Sequence, residues 1–105
     1  YYNGPFAYGR YLEQPNNDGI VYVNVFPNPG TGNFMIMLKG KMYGKINAHV
    51  YDGMGREVFF NNFEKKTYEL NTPLELSSLP NGIYLLELQS EDLQKVSTRI
   101  FIIHN

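Results

Sequence analysis

The chain has 105 residues, of which 43% are apolar and 18% charged, and this composition and length suit one globular domain. With nine basic and ten acidic residues and a net charge of −1, it carries no electrostatic footprint for nucleic acid. It has no cysteine for a disulfide or thiolate metal site, and no apolar run approaches the roughly 20 residues of a membrane-spanning helix, so direct membrane insertion is not expected.

The first segment, residues 1–19, is rich in tyrosine, glycine, proline and asparagine and has no sustained periodicity. Such a composition is typical of a linker or of the end of a preceding domain. Its tyrosines offer faces for stacking on sugar rings, but the favoured interpretation is that they pack against a neighbouring domain or lie loosely on the surface. Because the chain starts at Tyr1 without a charged and apolar leader, we expect it to be the tail or an excised domain of a longer protein. The folded domain is predicted to cover residues 20–105.

From Ile20 onward, apolar residues alternate with polar ones in short runs. Period-two alternation indicates half-buried strands, because successive side chains of a strand point to opposite faces. The polar stretch 61–72 is predicted to be an exposed connection or a weak edge strand. Strands are predicted over residues 20–26, 33–40, 45–52, 56–60, 73–79, 83–90 and 95–103.

Turn signals separate these runs at intervals of about ten residues, as in antiparallel β-sandwiches and barrels. Gly30 and Gly32 permit a chain reversal after two prolines, and Gly53 and Gly55 permit another. A helix over residues 84–94 is the main alternative, because leucine and glutamate are good helix formers. The preceding Pro-Asn-Gly turn at 80–82 and the continuous alternation favour a strand. The sequence therefore predicts an all-β fold without helices.

Groups for catalysis or metal binding do not converge in this sequence. Its only histidines are His49, on the polar face of a predicted strand, and His104, near the end of the chain. The acidic residues are scattered, the serines have no neighbouring histidine, and residues 16–19 are too few for a calcium loop. We predict no catalytic residue, no metal site and no cofactor, and we do not expect an enzyme.

Four segments in a fixed order carry a more specific signal: VFPNPGTGNFMI, VYDGMGREV, LELSSLPNGIYLLEL and KVSTRIFI. Together they resemble the C-terminal sorting domain of type IX secretion cargo. The chain departs from that family at its end, IIHN, because many members finish on a lysine-containing strand. The residues that match the family motifs are Pro27, Asn28, Pro29, Gly32, Asp52, Gly55, Leu79, Gly82, Ile83 and Tyr84, followed by a strand over residues 95–103.

The resemblance implies an antiparallel, immunoglobulin-like β-sandwich of about seven strands that acts as an address. In this family a passenger protein precedes the domain and reaches the periplasm through a separate signal. The type IX translocon then carries it across the outer membrane to the cell surface or the medium. A sortase-like peptidase cuts ahead of the domain, and the passenger is attached to the surface or released.

Two consequences follow from this resemblance for residues of the chain. The scissile bond is expected in the loop at Asn17, Asp18 and Gly19, because exposed loops enter protease clefts. Lys95 and Arg99 on the last predicted strand are candidates for translocon recognition through strand addition. A second role for these two cations is to protect a sheet edge from aggregation.

Two alternatives use the same fold, because a sandwich hosts many functions. The first is a carbohydrate-binding or adhesive module of a secreted protein, with Tyr22, Tyr43 and Tyr51 as its aromatic platform. The second is a structural spacer. A sorting signal must lie at the extreme C-terminus of its precursor, whereas a binding module need not.

Overall fold

The computed structural model describes residues 21–104. The first segment, including the predicted cleavage residues Asn17, Asp18 and Gly19, lies outside the described residues. Residues 21–104 contain no helix that could cross a membrane. The seven strands are β1 (Val21–Phe26), β2 (Asn33–Gly40), β3 (Gly44–Tyr51), β4 (Glu57–Lys65), β5 (Glu69–Glu75), β6 (Gly82–Ser90) and β7 (Lys95–Ile102).

The strands form two antiparallel sheets that pack as a sandwich. One sheet has the order β1-β2-β5 and the other the order β4-β3-β6-β7. Residues predicted as a possible helix over 84–94 lie instead in β6 and in the turn before β7. The predicted all-β sandwich of about seven strands is confirmed.

The core follows from the period-two pattern of the sequence. Val21, Val23 and Val25 of β1 are buried, while Tyr22 and Asn24 between them point away from the core. The same alternation buries Leu86 and Leu88 of β6, since successive side chains of a strand point to opposite faces. Apolar side chains from both sheets fill the space between them: Phe34, Ile36, Leu38, Ile46, Ala48, Val50, Leu74, Tyr84, Val96, Ile100 and Ile102, joined by Met42 and Leu76 from the connections.

Two strand boundaries differ from the sequence prediction, because β4 continues to Lys65 and β5 begins at Glu69. The polar stretch 61–72 therefore lies mostly in strands. Both are edge strands, which tolerate exposed polar residues on one side, so the edge-strand alternative for this stretch is confirmed. The strand predicted over 73–79 ends at Glu75, because the chain turns just beyond it: Leu79 N–H donates to the Leu76 carbonyl over 3.0 Å.

The connections fall into two groups at opposite ends of the sandwich. Antiparallel pairing places the β1–β2, β3–β4 and β5–β6 connections at one end, together with the residues that follow β7. The β2–β3, β4–β5 and β6–β7 connections lie at the other end, and so does Val21, where β1 begins. A six-residue strand is about 20 Å long, so the chain enters the domain roughly that far from the first group of connections.

Candidate recognition site at the final strand

The connection between β1 and β2 reaches across to the outer edge of β7. The Asn28 side chain donates from Nδ2 to the carbonyl of Arg99 over 2.8 Å. Its Oδ1 accepts from the backbone N–H of Phe101 over 2.9 Å. One side chain therefore binds β7 through a donor and an acceptor, as the backbone of a neighbouring strand would. The flanking Pro27 and Pro29 both follow cis peptide bonds.

Gly30 continues this pairing with its own backbone. Its N–H donates to the Phe101 carbonyl over 3.0 Å, and its carbonyl accepts from the N–H of Ile103 over 2.9 Å. The two bonds form a short parallel bridge beside Ile102. The last third of the β7 edge is thus occupied by the connection that follows β1.

Close packing requires glycine at two positions of this connection. A Cβ atom on Gly30 would lie 2.6 Å from the Pro27 carbonyl oxygen and 2.7 Å from the Phe34 ring. Gly32 has a φ of +124°, and a Cβ atom there would lie 2.4 Å from the Cα atom of Ser77. Gly32 therefore lets the β1–β2 and β5–β6 connections touch backbone to backbone.

The second motif, Asp52 with Gly55, forms the tight β3–β4 turn. The Asp52 carboxylate accepts from the N–H groups of Met54 over 2.9 Å and Arg56 over 3.0 Å. The Arg56 guanidinium also donates to it over 2.9 Å. The backbone hydrogen bond from Arg56 is the main cause that lowers the pKa of Asp52 below its ordinary value. Gly55 closes the turn with a φ of +84°.

The third motif, Leu79 with Gly82, Ile83 and Tyr84, joins the core to the surface. Tyr84 is buried, and its hydroxyl donates to the Pro80 carbonyl over 2.7 Å, which fixes the turn before β6. Ile83 points the other way and is 57% exposed. The chain after β7 returns to this turn, because the His104 ring bonds the carbonyl of Leu79 over 2.7 Å.

All three turn motifs and the last residues after β7 therefore lie at the same end of the sandwich. We call this the motif end and define it as residues 27–32, 52–56, 76–84 and 103–104. The sequence placed these segments in order along the chain but gave no sign that they meet in space. Hydrogen bonds join the first and third segments to each other and to residues 101–104, and antiparallel pairing of β3 places the Asp52 turn at the same end.

The predicted recognition residues Lys95 and Arg99 both lie exposed on the outer face of β7. Lys95 Nζ lies 3.7 Å from a carboxylate oxygen of Glu87 on β6. Within residues 21–104, the Arg99 guanidinium has no acidic partner. A groove beside Arg99 separates the edges of β1 and β7 and is lined by Asn24, Phe26, Leu85 and Phe101, among others. Arg99 thus lies nearer the motif end, whereas Lys95 lies at the opposite end of the strand.

Sequence reasoning missed one buried charge, Lys65. Its Nζ donates to the carbonyls of Gly40, Thr67 and Tyr68 over 2.7, 2.7 and 2.8 Å. It also lies 4.6 Å from the centre of the Tyr43 ring, a distance typical of a cation–π contact. Burial lowers the pKa of Lys65. The lysine ties together two connections at the end opposite the motif end, and the polar sequence around it gave no sign of burial.

The tyrosines proposed as a carbohydrate platform do not assemble. Tyr22 lies on the outer face of the three-stranded sheet, and Tyr51 lies on the outer face of the four-stranded sheet. Tyr43 packs near Lys65 in the β2–β3 connection. His49 stacks on Tyr51 and bonds Glu57 over 2.7 Å, and no group of three His, Asp or Glu side chains suited to a metal occurs in residues 21–104.

Comparison with known proteins agrees with this architecture. The family model described as "Secretion system C-terminal sorting domain" matches residues 24–103, which include all the motif segments. The chain is also similar to a protein named endo-acting ulvan lyase from Formosa agariphila, with 26% identity over 80 residues. That match covers 76% of this chain but only 14% of the lyase.

Proposed function

The chain belongs to the family of type IX secretion system C-terminal sorting domains, and we propose that it directs a passenger protein through the outer-membrane translocon of that system. In this proposal the domain is a ligand of the export machinery and performs no chemistry itself. The passenger passes through the periplasm before export and ends at the cell surface or in the medium. The lyase similarity does not assign an activity to this chain, because it covers only 14% of that protein.

The observation that carries this proposal is the gathering of the family motifs at one end of the sandwich. A turn that only connects two strands does not need hydrogen bonds to a third strand. Asn28 and Gly30 nevertheless bind the backbone of β7 directly. The motif end is also the end farther from Val21, where the preceding chain enters. A passenger attached there leaves the motif end free for a translocon.

We further propose that a sortase-like peptidase removes the domain. The proposed cleavage residues are Asn17, Asp18 and Gly19, within a segment, residues 1–19, that links the passenger to the sandwich. Polar and glycine-rich segments between domains are favoured sites of proteolysis. Cleavage there releases the intact sandwich from the passenger, which is then attached to the surface or released.

Export of a reporter tests the address directly. The 105-residue chain is fused behind a periplasmic reporter in a host that has a type IX system. We expect the reporter in the medium or on the cell surface and expect it in the periplasm when the system is deleted. Retention of the reporter in the periplasm of the intact host, with the fusion folded and undegraded, would contradict the proposal.

Processing is tested in the same strain with a triple replacement of residues 17–19 by proline. We expect an exported reporter that keeps the domain attached, because proline fixes φ and removes the backbone N–H groups that a protease cleft can bind. A matched triple replacement in the earlier part of the segment, at residues 6–8, serves as the control and should be processed normally. Normal removal of the domain from the first variant would place the scissile bond elsewhere.

A further inference from the structure

We propose that the open half of the β7 edge binds an extended segment of a partner protein by strand addition, and that this segment carries carboxylates at two positions four residues apart. The inference rests on the proposed function in one respect, because the partner is taken to belong to the export machinery. It adds the site of contact and the chemistry of the contacting segment.

The hydrogen-bonding groups of β7 define which part of the edge is open. Arg99 and Phe101 direct backbone groups outward, and the β1–β2 connection binds them near the motif end. N–H and C=O directions alternate along a strand, so Ser97 also directs both of its groups outward. No residue within 21–104 pairs with the backbone of Ser97 or with the N–H of Arg99 on this side. Main-chain groups in such a row bind an added strand.

A partly apolar groove lies beside these backbone groups and can hold a peptide. The groove between β1 and β7 measures about 1040 Å³ and runs beside Ser97 and Arg99. Phe26 and Leu85 contribute apolar surface to it and are 42% and 39% exposed. An added strand would therefore bury apolar side chains on one side while its backbone pairs with β7.

The charges on β7 select the partner. Lys95 and Arg99 point to the same outer face and are four residues apart, and Arg99 has no acidic partner within residues 21–104. Opposite charges directly across two paired strands are favourable, whereas like charges destabilise the pair. A segment with carboxylates at two positions four residues apart can face both cations at once.

The same charges disfavour a second copy of this chain as the occupant. Two copies that pair symmetrically through the open edge must run antiparallel about a centre at Ser97. Lys95 of one copy then faces Arg99 of the other, and this happens twice in the pair. Like charges would oppose each other at both positions, so self-pairing is the arrangement that β7 resists.

Peptide binding tests the inference without the export machinery. The probe is a blocked seven-residue peptide, Thr-Glu-Val-Thr-Val-Glu-Thr, and the control peptide has lysine at both glutamate positions. We expect the acidic peptide to shift the backbone amide signals of Ser97 and Arg99 saturably in the 105-residue chain. The lysine peptide should bind at least about tenfold more weakly. Absence of saturable shifts at these two amides, or equal binding of both peptides, would overturn the inference.

Two test variants and one control variant repeat the test in the cell. Ser97→Pro removes an outward N–H and leaves the pairing with β6 intact, as prolines on edge strands do. Ser97→Ala keeps that N–H and is its matched control. The double replacement Lys95→Glu with Arg99→Glu reverses the charges and leaves the backbone unchanged. We expect Ser97→Pro and the charge reversal each to lower reporter export about tenfold, with Ser97→Ala unchanged.

The outcomes separate the two proposals. Wild-type export together with undiminished export of both test variants would overturn strand addition and leave the address proposal standing. Failure of wild-type export would contradict the address proposal, and the peptide experiment would then decide strand addition alone. Urea unfolding of each variant confirms that a loss of export is not a loss of folding.

Discussion

Asn28 and Phe101 are 73 residues apart in the chain, yet the side-chain oxygen of the first accepts the backbone N–H of the second over 2.9 Å. The turn that opens the family motif is therefore held by the last strand. The turn and the edge of β7 satisfy each other's hydrogen-bonding groups.

Replacing Asn28 should destabilise the domain through this contact. Asn28→Ala removes two hydrogen bonds to β7 and leaves the N–H of Phe101 without its partner. We expect a loss of about 1–3 kcal/mol in the free energy of unfolding, measured by urea titration. Asn71→Ala on β5 is the matched control, because Asn71 is exposed, and should change stability by no more than about 0.5 kcal/mol. Equal effects of both variants would show that the contact contributes nothing.

Glycine at position 32 should be indispensable. Gly32→Ala places a methyl group 2.4 Å from the Ser77 Cα atom, at a φ of +124°. The backbone must move on both sides of the contact, so we expect the free energy of unfolding to fall by about 2 kcal/mol or more. Gly53→Ala is the control, because a Cβ atom at Gly53 meets no atom within 4 Å. Thermal unfolding of the two variants compares them, and a similar melting temperature would contradict the packing argument.

Features of the fold that depend on neighbouring residues could be predicted from the sequence, and those that depend on contacts distant in sequence could not. Alternation along the chain predicted β1, β2, β6 and β7 to within a residue or two, because half-burial is a local pattern. Leu76 lies within the strand predicted over 73–79 and is buried, although that strand ends at Glu75. Lys65 escaped prediction for the opposite reason. Its ammonium is buried because it binds the carbonyl of Gly40, which is 25 residues away in sequence.

The candidate site shows the same division. The motif residues were identified in order along the chain, and Arg99 was assigned to the last strand. That Asn28 covers one part of the β7 edge and leaves another open depends on a fold-back across the whole domain. No periodicity reports such a contact. The assignment of Lys95 and Arg99 to recognition stays a prediction until the export experiments are done.

Asp52 should make the free energy of unfolding depend on pH. Hydrogen bonds from Arg56 and Met54 lower the pKa of Asp52 in the folded state below the unfolded value of about 3.9. The folded state therefore binds fewer protons, and the stabilisation is present above the unfolded pKa and lost as pH falls through the folded pKa. We expect the stability difference between wild type and Asp52→Asn to shrink from pH 6 to about pH 2.5. Urea unfolding midpoints of both proteins at the two pH values measure this difference. A difference that does not change with pH would contradict the lowered pKa of Asp52.

Lys65 should be far more important to stability than its neighbour in the sequence. Lys65→Met keeps much of the side-chain volume but leaves the carbonyls of Gly40, Thr67 and Tyr68 without their donor. We expect a loss of about 2–4 kcal/mol in the free energy of unfolding. Lys66→Met, at an exposed position outside the strands, should change it by no more than about 0.5 kcal/mol. A loss in Lys65→Met no larger than in Lys66→Met would show that the buried ammonium does not hold the two connections together.

Exposed apolar residues at the two ends of the sandwich distinguish which end the export machinery binds. Ile83 lies at the motif end and is 57% exposed, whereas Leu93 lies at the opposite end and is 75% exposed. If the motif end enters the interface, Ile83→Ser removes apolar surface that becomes buried on binding. We then expect reporter export to fall about tenfold, because burial of one such side chain contributes about 1.5–3 kcal/mol.

Leu93→Ser is the matched control for this experiment and should leave export unchanged. Both replacements affect exposed side chains, so the free energy of unfolding should change by less than about 1 kcal/mol in each. The ratio of exported to periplasmic reporter is measured in the two strains in parallel. A fall for Leu93→Ser with normal export of Ile83→Ser would assign recognition to the end where the passenger is attached. That result would contradict the proposal that the export machinery recognises the motif end.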